Sequence, residues 1–215
     1  MLSKLCSFYK LLNQLGGKEY FETFISYNVA LISAKLKPAI TLNFKKEDKK
    51  RTHYLWDIYG ENCLMELGLK HVKLRETDDS LIVLIYDTDL LQRVIKKSEN
   101  LNVLTNIGYE KDSSLEEVVI KLIHRYELYN CPHELGIFLG YPIEDVKSFM
   151  NCEENKCLGC GYWKVYNEYN KAKVIFSIYD SVRVETIDNI LIGNKHVELS
   201  SILRTKFELN QEIIF

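Results

Sequence analysis

The chain has 215 residues, of which 47% are apolar and 27% charged, a composition that excludes a disordered or fibrous protein. Its 28 Lys and Arg against 30 Asp and Glu give a formal net charge of -2, so no overall positive charge attracts nucleic acid. The longest apolar run, Leu81 to Tyr86, is far shorter than the ~20 residues that cross a bilayer, and the first residues do not predict a cleavable leader. We therefore expect a cytoplasmic protein that contacts neither nucleic acid nor membrane and keeps its six cysteines reduced.

Apolar periodicity predicts the elements of the first half in chain order. They are a helix over residues 18–34, a strand from Ala39 to Phe44, a helix from His53 to Leu69, and two strands, His71 to Glu76 and Leu81 to Tyr86. The first helix should end before Lys37, because a residue that precedes a proline is pushed out of the α region. The run from Leu81 to Tyr86 is apolar on both faces, so it should be a central strand.

In the second half, capping residues and prolines mark most of the predicted boundaries. Thr88 should cap a helix, and Ser113 and Ser114, each with a glutamate three positions later, should start another. The remaining predictions are a short helix from Pro132 that Gly140 closes, a helix from Pro142, a strand from Tyr162 to Asn167, a helix capped by Asn170, a strand or helix from Ile187 to Ile192, and a short helix from Leu199 to Phe207. This order of elements predicts a single compact α+β domain with a largely antiparallel or mixed sheet.

Three segments of the sequence resemble those of a known family. They are Leu36-Lys37-Pro38-Ala39, the block from Cys131 to Val146 with its Pro-His-Glu-Leu-Gly-Ile-Phe-Leu-Gly-Tyr-Pro core, and Gly161-Tyr162-Trp163-Lys164-Val165-Tyr166 followed by Ala172 and Tyr179. The family that they resemble is common in clostridia and related Firmicutes and is known only as a domain of unknown function. The resemblance implies a cytoplasmic bacterial protein with a family domain over residues 1–183. It also implies that residues 184–215 are a divergent segment packed on the same domain.

Four cysteines in the second half form a candidate metal site. Cys157 and Cys160 have the CxxC spacing at which two thiolates share one metal or form one disulfide. Cys152 precedes them, and Cys131 with His133 would complete a set of donors that suits zinc, an iron–sulfur cluster or haem. The alternative interpretation is that these thiols are unligated in a turn. The resemblance does not include the complete cysteine set.

His133 and Glu134 are the best candidates for acid–base catalysis, because the pKa of imidazole lies nearest neutrality and a carboxylate can tune it. Adjacent residues of a helix do not face each other, so their partners must come from elsewhere in the fold. The structural alternative is that Glu134 stabilises the start of a helix while His133 bonds a loop carbonyl.

Aromatic residues near the corner at Gly140 offer a surface for a planar ligand or a partner, with core packing as the alternative. They are Phe138, Tyr141, Tyr162 and Trp163.

Three functional hypotheses follow. The first is a metal- or redox-linked accessory protein that uses the cysteines. The second is a metal-free adaptor for a redox protein such as a flavodoxin, a partner that the resemblance implies. The third is an enzyme with His133 as general base, oriented by Glu134 or Asp145.

Overall fold

The secondary structure of the chain is described by a computed structural model for residues 2–151 and 156–214. The elements in chain order are α1 (Leu2–Gln14), α2 (Gly17–Ser33), β1 (Ala39–Lys45), α3 (Thr52–Glu66), β2 (Lys70–Glu76), β3 (Ser80–Tyr86), α4 (Thr88–Ile95), α5 (Ser98–Asn106), α6 (Leu115–Tyr129), α7 (Leu135–Phe138), α8 (Ile143–Met150), β4 (Gly159–Cys160), β5 (Lys164–Val165), α9 (Tyr169–Leu191), α10 (His196–Lys206) and α11 (Gln211–Ile214). None of the described helices is long and apolar enough to cross a membrane.

A three-stranded antiparallel sheet in the order β1-β3-β2 lies between two groups of helices. Strand β3 pairs with β1 from Tyr86 opposite Ala39 to Ser80 opposite Lys45. It also pairs with β2 along the other edge, where the register shifts between Lys73 and Arg75. The prediction of a central strand is therefore confirmed, as is the α+β class with an antiparallel sheet.

Side chains that alternate along β3 divide the protein interior into two clusters. Leu81, Val83 and Ile85 belong to the larger cluster, which they form with residues of α1, α2, α3, α9 and α10. Leu84, on the opposite face, belongs to a second cluster with residues of α4 to α8. Successive side chains of a strand point to opposite faces, so a strand with helices on both sides needs apolar residues at nearly every position. This requirement explains the unbroken apolar run.

Several boundaries differ from the predicted ones. Asp87 caps α4 in place of Thr88, because its carboxylate accepts a hydrogen bond from the backbone N–H of Leu90. Helix α9 begins at Tyr169, before the cap predicted at Asn170, and continues through the segment whose type the sequence left open. Helices α1 and α5 are additional elements for which the sequence analysis made no prediction.

The predicted strand from Tyr162 to Asn167 is extended only at Lys164–Val165, where it pairs with Gly159–Cys160. The backbone N–H groups of Tyr166 and Asn167 donate to the carboxylate of Asp145. Because a carboxylate takes the hydrogen bonds that a neighbouring strand would need, the strand cannot continue past Val165.

The C-terminal residues pack on the same core as the rest of the chain. Helix α9 runs without interruption through Arg183. In the following segment, Leu199, Leu203 and Phe207 are buried in the larger cluster. The segment expected to diverge from the family therefore contributes part of the interior.

Helices α7 and α8 meet at a tight turn, and residues 132–150 are called the corner below. The helix predicted from Pro132 is only one turn long, Leu135–Phe138. Gly140 has a φ of +73°, as predicted for a glycine that closes a helix, and its N–H donates to Ile137 O at 3.0 Å. A Cβ at Gly140 would lie 2.5 Å from Cδ of Pro38. The corner can therefore approach the start of β1 only because this residue is glycine.

We expect Gly140→Ala to destabilise the protein more than a matched substitution at Gly68. Gly68 has a similar φ of +68° but nothing lies within 4 Å of its added Cβ. Both variants should lose about 1 kcal/mol for the left-handed backbone, and Gly140→Ala should lose a further ~1–3 kcal/mol because it overpacks against Pro38. Urea unfolding of the two variants measures this difference. Equal losses would contradict the close approach of the corner to Pro38.

Candidate functional site

The three segments that carry the family resemblance meet at one place in the fold. Lys37 Nζ lies 4.8 Å from the centre of the Tyr141 ring. This ring stacks on the Trp163 ring with centroids 5.7 Å apart and an angle of 29° between the planes. Tyr179 donates its hydroxyl hydrogen to the backbone carbonyl of Leu36 at 3.2 Å. Lys37, Tyr141, Trp163 and Tyr179 are called the junction below.

The carboxylate of Asp145 holds Trp163 in the junction. Asp145 is 3% exposed, and its Oδ2 accepts a hydrogen bond from Trp163 Nε1 at 2.8 Å. Its Oδ1 accepts from the backbone N–H groups of Tyr166 at 2.9 Å and Asn167 at 2.7 Å. Since these donors satisfy both oxygens, Asp145 acts as a structural anchor. Among the described residues, no hydrogen bond joins it to His133.

Two cavities open on either side of the junction. The larger, called the corner cavity, has a volume of about 490 Å³ and apolar walls formed by Leu135, Leu139, Tyr141, Val146, Phe149 and Trp163. The smaller, of about 250 Å³, lies between the corner and α9. Tyr141, Asp145 and Trp163 line both. Apolar walls with few polar groups are typical of sites for small molecules.

The two predicted catalytic residues point in different directions. Glu134 is 1% exposed and forms an ion pair with the Nε of Arg125, while its Oε1 accepts a hydrogen bond from Tyr109 at 3.2 Å. Hydrogen bonding to Glu134 raises the pKa of Arg125. Burial, followed by the charge of Glu134, raises the pKa of Tyr109. Glu134 therefore joins α6 to the corner, which fits the structural interpretation.

His133 is exposed and lies at the mouth of the corner cavity, where its ring meets the Phe149 ring edge-on at 4.9 Å. Within the described part of the chain, no carboxylate is paired with His133. A general base needs an orienting partner and a substrate within hydrogen-bonding distance. Of these requirements, the described residues provide a cavity that reaches His133 but no orienting carboxylate.

The predicted aromatic surface is only partly exposed. Phe138 is 0% exposed, so it belongs to the interior and presents no exposed surface to a ligand or partner. Trp163 is also buried but forms a cavity wall. Tyr162 is half-buried and donates its hydroxyl hydrogen to Asp180 at 2.9 Å. Tyr141, which touches both cavities, is the aromatic residue best placed to meet a ligand.

The described cysteines of the predicted metal site are exposed and do not form a cluster of three ligands. Cys160 belongs to β4, Cys157 lies two residues before that strand, and Cys131 lies at the mouth of the corner cavity. Cys152 lies outside the described residues. Over residues 2–151 and 156–214, three potential ligand groups lie within 4.8 Å of one another only at Glu22, Glu66 and His196. A cysteine site for zinc, an iron–sulfur cluster or haem therefore stays a prediction.

The group of Glu22, Glu66 and His196 has the geometry of an ion-pair bridge. His196 Nε2 lies 2.5 Å from Oε2 of Glu66, whereas Nδ1 lies 3.9 Å from Oε2 of Glu22. Each ring nitrogen thus faces a different carboxylate, whereas a metal would need both carboxylates on the side of one nitrogen. This arrangement connects α2, α3 and α10.

Sequence reasoning missed Lys37 as a site residue. The side chain is 6% exposed, and burial, followed by repulsion from Arg183, lowers its pKa to about 7. A usable signal was present: Lys37 stands between apolar residues at Leu36, Pro38 and Ala39, just after a helix. Lysine is rarely buried without a partner, so one inside an apolar segment indicates a site.

The comparisons with known proteins give one match. A family model described as Protein of unknown function (DUF3793) matches residues 25–200. No curated protein and no solved structure matches the chain. The matched range includes all of the junction and the corner.

We expect Lys37→Met to remove a pH dependence of stability. An unfolded lysine has a pKa of about 10.4, so between about pH 7 and pH 10 the unfolded state binds more protons than the folded state, and the free energy of unfolding rises with pH. The wild-type free energy of unfolding minus that of the variant should therefore increase by up to about 1.4 kcal/mol per pH unit in this window. Urea unfolding across the window, with Lys173→Met at an exposed position of α9 as control, measures it. If the difference in the free energy of unfolding between wild type and each variant does not change with pH, Lys37 is protonated in the folded protein.

Proposed function

The chain belongs to the family described as Protein of unknown function (DUF3793), and we propose that it binds a small planar, apolar ligand with an acidic group in the corner cavity. The observation that carries this proposal is the stacked pair of Tyr141 and Trp163 in the cavity wall. Aromatic rings held in place by packing bind flat ligands at low entropic cost. The cavity volume of about 490 Å³ falls in the range of small-molecule sites.

The acidic group is inferred from the charges around the cavity. Lys164 and His133 are exposed at its mouth, and Lys164 Nζ lies 5.6 Å from the centre of the Phe149 ring. Among the described residues that line the cavity, the carboxylate is that of Asp145, and its own hydrogen bonds occupy it. The cavity mouth therefore presents a cation to a bound ligand, and a carboxylate or similar anion is the complementary group.

We expect one molecule of 2-naphthoate to bind per chain, measured by calorimetry. Lys164→Gln should weaken this binding about fivefold, the effect of losing one exposed charge contact of roughly 1 kcal/mol. The uncharged naphthalene-2-carboxamide should bind wild type and Lys164→Gln equally. Lys173→Gln is the matched control, because Lys173 is also exposed and also lies over an aromatic ring, that of Tyr169, away from the corner cavity.

The cavity itself is tested by a substitution in its wall. Phe149 is half-buried, so Phe149→Ser should leave the protein folded while removing part of the apolar wall. Both probes should then bind more weakly. If neither probe binds wild type, or if Phe149→Ser binds both as well as wild type does, the corner cavity is not a ligand site.

A redox- or metal-linked role in the cytoplasm of a bacterium is a second candidate, favoured by the exposure of Cys131, Cys157 and Cys160. Thiols at the surface are available to a metal or to a redox partner, and a flavodoxin is the partner that we propose first. Cys160 lies opposite Lys164 in the hairpin of β4 and β5, and Cys157 lies two residues before β4. A partner that docks there would cover the mouth of the corner cavity, so the adaptor hypothesis shares this surface.

Metal analysis of protein purified without oxygen tests this second candidate. We expect zinc or iron to be retained by wild type and by Cys6→Ser, and lost from Cys157→Ser and Cys160→Ser. Cys6 is the matched control because it is exposed but lies on α1. A metal-free wild type whose melting temperature is unchanged by a chelator would remove the metal role.

A further inference from the structure

Cys131 brings a nucleophilic side chain to the corner cavity. It lies between α6 and the corner, and it lines the cavity together with His133, Leu135 and Tyr141. The residue is exposed, so a molecule that enters from the solvent can reach it. Because the cavity has a volume of about 490 Å³, a compound the size of a small aromatic acid can occupy it and touch the cysteine.

Neighbouring groups hold the thiol of Cys131 at this wall. Tyr126 of α6 is 5% exposed, and its side chain shares a hydrogen bond with that of Cys131. Burial, followed by the charge of Cys131, raises the pKa of Tyr126 and of Tyr141. Both hydroxyls are therefore neutral near pH 7, and Tyr126 can donate to the sulfur. The backbone of Cys131 is fixed as well, because its N–H donates to Tyr129 O at 2.7 Å.

An imidazole accompanies the thiol in the same cavity. His133 follows Cys131 by two residues and also lines the corner cavity, and Pro132 between them restricts the backbone. The thiolate is the reactive form of a cysteine, and imidazole is a common base for the thiol proton. In the described part of the chain, the other exposed cysteines do not line this cavity; they are Cys6, Cys157 and Cys160.

The shape of the cavity and the chemistry of sulfur select the same class of ligand. A flat compound fits against the stacked rings of Tyr141 and Trp163, and Lys164 at the mouth favours an acidic group. Sulfur is a soft nucleophile, which adds readily to an alkene conjugated with a carbonyl group. Conjugation also keeps such a compound flat, so an α,β-unsaturated carbonyl compound meets both requirements.

We propose that Cys131 is the nucleophile of the corner cavity and forms a thioether with a planar α,β-unsaturated carbonyl compound that carries an acidic group. This inference rests on the proposed function, since the cavity must first bind the compound. The thiol loses its proton, and the sulfur forms a bond to the β-carbon while the π bond of the alkene breaks. The electron pair of that π bond moves to the α-carbon, which takes up one proton. The thiol and the carbonyl compound thus combine without an oxidant, a reductant or a metal.

The test uses 3-benzoylacrylate, which combines a planar ring, a conjugated ketone and an acidic group, on the reduced protein. Peptide mapping by mass spectrometry gives the rate at which each cysteine is labelled. Acrylamide reacts by the same addition but has neither ring nor acid, so its rates correct for the exposure and intrinsic reactivity of each thiol. We expect the corrected rate at Cys131 to exceed those at Cys6, Cys157 and Cys160 by at least about tenfold, because binding brings the reactants together. The rate at Cys131 should also level off as the probe concentration rises.

Protection by 2-naphthoate separates this inference from the proposed function. Excess 2-naphthoate should slow the labelling of Cys131 and leave the labelling of Cys6, Cys157 and Cys160 unchanged. Equal corrected rates at all of these cysteines would overturn the inference, and they would leave the proposed function intact if 2-naphthoate still binds wild type. Labelling of Cys131 that 2-naphthoate does not slow would also overturn it, because the probe would then reach the thiol without entering the corner cavity.

Discussion

The junction depends on the buried carboxylate of Asp145. An isolated carboxylate is costly to bury, but this one accepts hydrogen bonds from the indole of Trp163 and from two successive backbone N–H groups. Hydrogen bonds to a charged acceptor contribute about 1.5–3 kcal/mol each, so together they fix the path of the chain after β5. That path places Trp163 under Tyr141 and ends the strand. A side chain of α8 thus decides both where the hairpin runs and which ring forms the wall of the corner cavity.

Features that depend on neighbouring residues were predictable from the sequence. The capping box of Ser114 and Glu117, the left-handed Gly140 and the double-sided apolar strand β3 all follow from local rules. Asp145 shows what local sequence rules cannot predict. Its position in the first turn of α8 suggests a favourable interaction with the helix dipole. Its donors lie 18 to 22 residues further along the chain, and no local pattern indicates such a pairing.

Sequence analysis found only part of the site, because here too the partners are distant in the sequence and follow no local pattern. Sequence spacing singled out the block around His133 and Glu134, and that block does form the corner cavity. It could not assign the roles, because Glu134 is neutralised by Arg125 from a different helix. The importance of Lys37 depends on which groups surround it in the fold, and these come from the corner and from α9. In the sequence, Lys37 was marked only by its position between apolar residues and within one of the segments that resemble the family.

Tyr141 also packs against both hydrophobic clusters. It touches the group of helices on each side of the sheet, so neither half can open without disturbing this ring. Contacts shared in this way make unfolding cooperative, because the two halves lose their packing in one transition. Tyr141, one of the residues that line both cavities, is therefore also one on which the packing of both halves depends.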